Sequence, residues 1–147
     1  MSLKHVLLIA VVAGLLAPSA GLVAQDRQTL TARLEWVPIT TRDRDNVSGK
    51  GSATGTLAGT RLTIAGRFEG LPAPATVARL HQGVAKGARG DAFADLTITR
   101  AVEGEISGSV ELTPQQVEAF REERLFVQVY TDRGVEDGST LRGWFLR

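Results

Sequence analysis

Between Gln28 and Trp36, Leu30, Ala32, Leu34 and Trp36 alternate with Thr29, Thr31, Arg33 and Glu35. A period of two is that of a half-buried strand. Pro38 ends the run, and residues 40–52 are polar, with Arg42-Asp43-Arg44-Asp45-Asn46 and Ser48-Gly49-Lys50-Gly51, predicting a long exposed loop that supplies no core. Thr54 to Phe68 reads as a strand, a tight turn containing Gly59 and a second strand with Leu62, Ile64, Gly66 and Phe68 on one face. Pro72 and Pro74 make 71–75 a stiff connector. A strand follows at Val77 to His81, then a glycine-rich loop at 82–91, a strand carrying Phe93, Leu96 and Ile98, and one over 104–112 alternating through Ile106, Gly108, Val110 and Leu112.

The pattern changes period once. Thr113 is placed to cap a helix, Pro114 suits its first position, and Gln116 stands three residues after the cap, which predicts a helix over 114–122 with Val117 and Phe120 inward. Leu125 to Thr131 and Ser139 to Leu146 are then strands joined by a loop at 132–138. About eight short strands and one short helix predict an all-β fold, an antiparallel immunoglobulin-like sandwich or barrel. Its expected core is Leu30, Leu34, Trp36, Leu57, Leu62, Ile64, Phe68, Leu80, Ile98, Ile106, Val110, Leu112, Phe120, Val127, Val129, Leu141 and Phe145. Trp144 fits either face.

Composition narrows the setting. Lys4 and His5 precede the apolar run Val6 to Leu16, and Ala17-Pro18-Ser19-Ala20 breaks it, the form of a cleaved secretory leader over residues 1–24. That run is about half of the roughly 20 residues needed to span a bilayer, so no transmembrane anchor is expected once the leader is gone. Lys4 leaves with it, so basic and acidic side chains become equal in number in the domain at 25–147. A neutral balance without a basic block speaks against a nucleic-acid partner. The chain has no Cys, so an exported form relies on packing rather than disulfides and carries no lipidated N-terminal Cys. A secreted or periplasmic protein, bacterial rather than eukaryotic, is the expectation.

Ala-Arg-Leu-His-Gln-Gly at 78–83, Phe-Val-Gln-Val-Tyr-Thr at 126–131, Leu112-Thr113 before the helix and Leu141-Arg142-Gly143 near the end together resemble the secreted chordin-type (CHRD) β domain. The likeness runs from Phe68 to Phe145. In that family the first segment usually carries two histidines flanking an apolar residue, and the second reads Val-His-Thr. This chain keeps one as His81 and has Arg79 and Tyr130 at the others. The family has been compared with immunoglobulin-like barrels and with copper-zinc superoxide dismutase, so the resemblance implies an extracellular interaction module and raises the question of a metal.

The residues answer that question in the negative. Without the leader one His remains, and a zinc or copper site generally needs three or four imidazole or thiolate ligands. No metal or other cofactor is expected. His81 is the one side chain titrating near neutrality, and it reads as a histidine closing a strand rather than a general base beside Tyr130, Asp91 or Asp132. No Gly-x-Ser-x-Gly turn occurs, and the carboxylates at 91, 95, 103, 105, 132, 136 and 137 lie around ordinary turns. The expectation is a non-enzymatic module that binds a protein or an extracellular polymer through Arg79, His81, Lys86, Arg89 and Tyr130 on loops of a rigid scaffold. Rival readings are a small subunit of an envelope complex and, further off, a superoxide-dismutase-like or hydrolytic enzyme. Trp144 and residues 40–52 are where an unexpected interface would arise.

Overall fold

The computed structural model describes residues 26–135 and 137–147. The leader expected over 1–24 lies outside them. Eight strands and one helix follow in chain order: β1 (Arg27–Trp36), β2 (Lys50–Ala58), β3 (Arg61–Glu69), β4 (Ala75–Gln82), β5 (Ala92–Ile98), β6 (Gly104–Glu111), α1 (Pro114–Arg121), β7 (Leu125–Val135) and β8 (Ser139–Leu146). Every pairing is antiparallel, and the order β1-β2-β3-β6-β5-β4-β7-β8 returns to β1 through Thr31↔Leu146 and Trp36↔Leu141, which closes a barrel. Of the two expected arrangements, the ladders form the barrel. Closure leaves no long free edge for another chain to extend. The ring is thinnest between β5 and β6, where the ladder consists of Thr97↔Ser107 and Ile98↔Ile106.

The alternation in the sequence becomes an inside and an outside. Leu30, Ala32 and Leu34 of β1 meet Leu57, Leu62, Ile64, Phe68, Leu80, Ile106, Val127, Val129, Leu141 and Phe145 in one buried cluster, with Ile98 and Val110 partly buried against it. Burial of apolar surface on this scale is the main favourable term holding the ring together. The helix is a stopper for this core. Thr113 Oγ1 accepts from the backbone N–H of Gln116, whose side chain accepts from the N–H of Thr113, the reciprocal cap expected from the sequence. Val117, Ala119 and Phe120 are buried, and Phe120 lies tilted against Phe145 with ring centres 5.8 Å apart.

Three expectations are corrected. Trp36 leaves the core and is 53% exposed, because the β1–β2 ladder ends at Leu34↔Gly51 and nothing closes over the next inward position. Residues 40–52 are not one open loop: Thr41–Asn46 forms a 3-10 turn, Val47 is buried and β2 already begins at Lys50. The loop expected at 132–138 is shorter, since β7 runs on to Val135.

Candidate functional site

In β4, Ala78 and Leu80 point into the barrel, which sends Arg79 and His81 to the outer face. In β7 the inward residues are Leu125, Val127 and Val129, so Phe126, Gln128 and Tyr130 share that outer face, and β8 adds Arg142 and Trp144. This outside is not wet: Phe126, Gln128, Tyr130 and His81 are all buried. The glycine-rich loop covers the His81 and Trp144 end of this face. A side chain at Gly83 would collide with the Ala88 carbonyl and the Trp144 ring, and one at Gly90 with the Gln82 carbonyl, so glycine at both positions lets the loop fold back tightly. The Gly83 N–H donates to Arg124 O at 2.7 Å and the Gln82 N–H to Asp91 O at 3.0 Å.

Beneath this cover is a second, smaller layer of packing. His81 stacks on Phe126 at 4.7 Å between ring centres, and Phe126 packs on Trp144 at 4.4 Å, which settles where the Trp144 ring lies. Arg79 and Arg142 cap the layer, with guanidinium carbons 5.4 Å from the Tyr130 ring and 5.6 Å from the Phe126 ring. A directed chain of hydrogen bonds crosses it. Arg142 Nε donates to Gln128 Oε1 at 2.8 Å, Gln128 Nε2 to Ser139 Oγ at 2.7 Å, and Ser139 Oγ to the Asp137 carboxylate.

His81 fixes its own tautomer. The Gly90 carbonyl, 3.0 Å from Nδ1, can only accept, so Nδ1 carries the proton, and Nε2 accepts from the Tyr130 hydroxyl at 3.0 Å. Burial lowers the imidazole pKa from its ordinary 6.5; the Gly90 bond opposes this, while Arg142 and Arg79 lower it further. Burial also raises the Tyr130 phenol, which keeps its proton for His81.

Between the folded-state value and 6.5 the unfolded chain binds more protons than the folded one, so stability is complete above 6.5 and falls as pH drops through that window. Denaturant midpoints measured at about pH 7.5 and about pH 5 are expected to fall on acidification, and to fall less in His81→Gln. Equal falls in both chains would mean that His81 contributes nothing to the pH dependence.

Of the five residues singled out from the sequence, Arg79, His81 and Tyr130 converge on this face, although Tyr130 is distant from the other two in sequence. They occupy the positions at which the resemblance leads one to expect histidines. Their donor set does not suit a metal: Arg79 is a cation paired with Asp95 at 3.0 Å, and both nitrogens of His81 are engaged. Among the described residues no group of three or more His, Cys, Asp or Glu clusters as a metal site would. Lys86 is elsewhere on the loop, tied to Glu123, which also accepts from the Arg147 N–H at 3.0 Å. Arg89 is exposed and close enough to Arg142 to lower its pKa further, after burial.

A second feature of the described surface lies elsewhere, bordered by residues 49–52 of the segment that the sequence marked for an unexpected interface. A groove of about 730 Å³ is lined by Leu34, Trp36, Phe68, Arg33, Glu35, Lys50, Ser52, Arg67 and Glu69, with Gly49 and Gly51. That volume falls within the roughly 300–1,000 Å³ of small-ligand sites. It forms where β1 and β2 part company: β1 keeps its pairing with β8 as far as Trp36↔Leu141, and β2 with β3 as far as Lys50↔Glu69, but the two do not pair with each other beyond Leu34↔Gly51. The Trp36 indole N–H crosses the gap to the Gly49 carbonyl at 2.9 Å. The signal for it was Trp36 followed so closely by Pro38, at the point where the strand must end.

Comparison with curated proteins and with solved structures gives no match. The family model of the CHRD domain matches residues 27–143, from the first strand to the last, so the chain belongs to the CHRD domain family.

Proposed function

We propose that this CHRD-domain chain is an exported, non-enzymatic binding module, working in the periplasm or outside the cell on a protein or an extracellular polymer. The observation that carries the reading is the groove at Trp36, a concave and largely preformed surface on a closed barrel, with a half-exposed aromatic ring and charges of both signs. Concavity combined with an aromatic anchor and a polar rim is how binding surfaces are generally built. The second layer on β4, β7 and β8 supports the non-catalytic part. Its one imidazole is covered and satisfied on both nitrogens, and it lines no part of the groove, whereas a general base needs a reacting proton within reach. No helix among the described residues is long and apolar enough to cross a membrane.

The envelope-subunit reading draws less support. Its interface calls for a contiguous apolar patch, while among the described residues the exposed large apolar side chains are Trp36, Val84, Val102 and Leu146, on four different segments. The test is affinity capture from envelope and culture-medium fractions with the purified chain, a groove variant (Trp36→Ala with Arg67→Ala) and a loop variant (Arg79→Ala with Arg89→Ala). A component retained by the parent and lost by the folded groove variant is the expected result. Loss in the loop variant alone would move the surface to β4, and retention of nothing beyond a control barrel would end the binding reading.

A further inference from the structure

We infer that the groove beside Trp36 takes a short stretch of neutral saccharide chain, with the indole as the platform on which a sugar ring stacks. The inference rests on the binding-module reading and names the ligand class of that same groove. With its N–H given to Gly49, the indole has no donor left to offer, so what it presents to a ligand is an apolar face. The hydrogen bond holds the ring in place before any ligand arrives, which reduces the ordering cost of binding.

The rim decides among ligand classes. Arg33 pairs with Glu35 at 2.9 Å and Lys50 with Glu69 at 3.4 Å, both pairs well exposed, and Arg67 and Ser52 stand beside them. A polyanion would be drawn to Arg33, Lys50 and Arg67 but repelled by Glu35 and Glu69; a polycation meets the reverse. A wholly apolar ligand would strip water from these charges without replacing its hydrogen bonds. A peptide adding as a strand needs a run of free backbone, and β1 and β2 part only around residues 35–36 and 49–50, each still paired on its far side. A neutral sugar meets every term: its C–H faces suit the exposed indole, and its hydroxyls both donate to the carboxylates and accept from the guanidinium and ammonium groups.

The chain has two tryptophans, so Trp144→Phe leaves Trp36 as the sole indole emitter and a direct reporter on the groove. Cellotetraose, chitotetraose and maltotetraose are titrated against that variant, with a heparin-derived acidic tetrasaccharide in parallel, and calorimetry follows on the parent chain, Trp36→Ala, Trp36→Phe and Arg67→Ala. The expected result is a saturable change in Trp36 emission with at least one neutral tetrasaccharide. Trp36→Ala should weaken that binding about tenfold or more and Trp36→Phe less, as for loss of an anchoring aromatic side chain. Arg67→Ala, at the exposed rim, should weaken it severalfold with the circular dichroism spectrum of the parent.

No saturable change with any neutral sugar, binding of the acidic sugar alone, or affinity unaffected by both Trp36→Ala and Arg67→Ala would overturn the inference. Failure here while the groove variant still loses a captured protein would sink the saccharide and leave the binding module standing. Failure of both experiments would remove both.

Discussion

Replacing Phe120 with alanine is expected to destabilise the barrel by about 3–5 kcal/mol, the range for emptying a fully buried aromatic site. The ring is completely buried, and it packs against Phe145 with ring centres 5.8 Å apart. Opposite the two rings is Gly55, where even a single added carbon would stand 3.0 Å from Phe145 and 3.1 Å from Phe120. A glycine cannot swing a side chain into the vacated space, so the cavity persists rather than collapsing, and persistence is what makes such substitutions costly. The loss reaches the helix as well. Eight residues are too few to be helical in water on their own, so α1 depends on burying Val117, Ala119 and Phe120. Urea unfolding of the parent, Phe120→Ala and Phe120→Leu checks this, with leucine recovering most of the loss. A cost below about 1 kcal/mol for alanine would show that α1 is peripheral to the core.

The strands, the helix and its cap were legible because each is written in nearest neighbours: two-residue alternation for β1, β3 and β6, and Thr113, Pro114 and Gln116 for α1. The closed strand order was not, since β4 pairs with β7 and β1 with β8 across long stretches of chain that no local pattern encodes. Trp36 shows the limit of alternation. Parity gave it the face of Leu30, Ala32 and Leu34, but a residue at the end of a ladder is buried only if the neighbouring strand continues, and the β1–β2 ladder stops at Leu34↔Gly51. The convergence of Arg79, His81 and Tyr130 was visible only through the family likeness, whose three histidine positions marked a set that the fold assembles. The second layer went unread for a different reason. Phe126, Gln128 and Tyr130 interleave with Leu125, Val127 and Val129, a strand buried on both faces, and such runs imply a cover on each side. At the His81 and Trp144 end that cover is the loop at 83–91, whose glycines permit its close packing.

Gln128→Leu is expected to cost about 2 kcal/mol, more than the size and apolar character of leucine would suggest. Gln128 is almost wholly buried and relays between Arg142 and Ser139, accepting from the one and donating to the other. Leucine leaves Ser139 with its donation to Asp137 intact but takes the acceptor from Arg142, a half-buried cation already disfavoured there by burial and by Arg89. Arg142→Leu produces the converse orphan, a buried Gln128 carbonyl without its donor. Removing both at once leaves neither, so the double variant should be more stable than the sum of the single losses predicts by about 1–2 kcal/mol. Urea midpoints of the four chains measure the coupling, and additivity within about 0.5 kcal/mol would mean that the chain from Arg142 to Asp137 is a set of separate contacts. Amide exchange at Gln82 gives an independent reading, since its N–H bonds to Asp91 at the root of the covering loop. If the loop and the layer beside it open as one unit, exchange there should quicken in both single variants and slow again in the double, because each single variant leaves a buried polar group unpaired and the double leaves none.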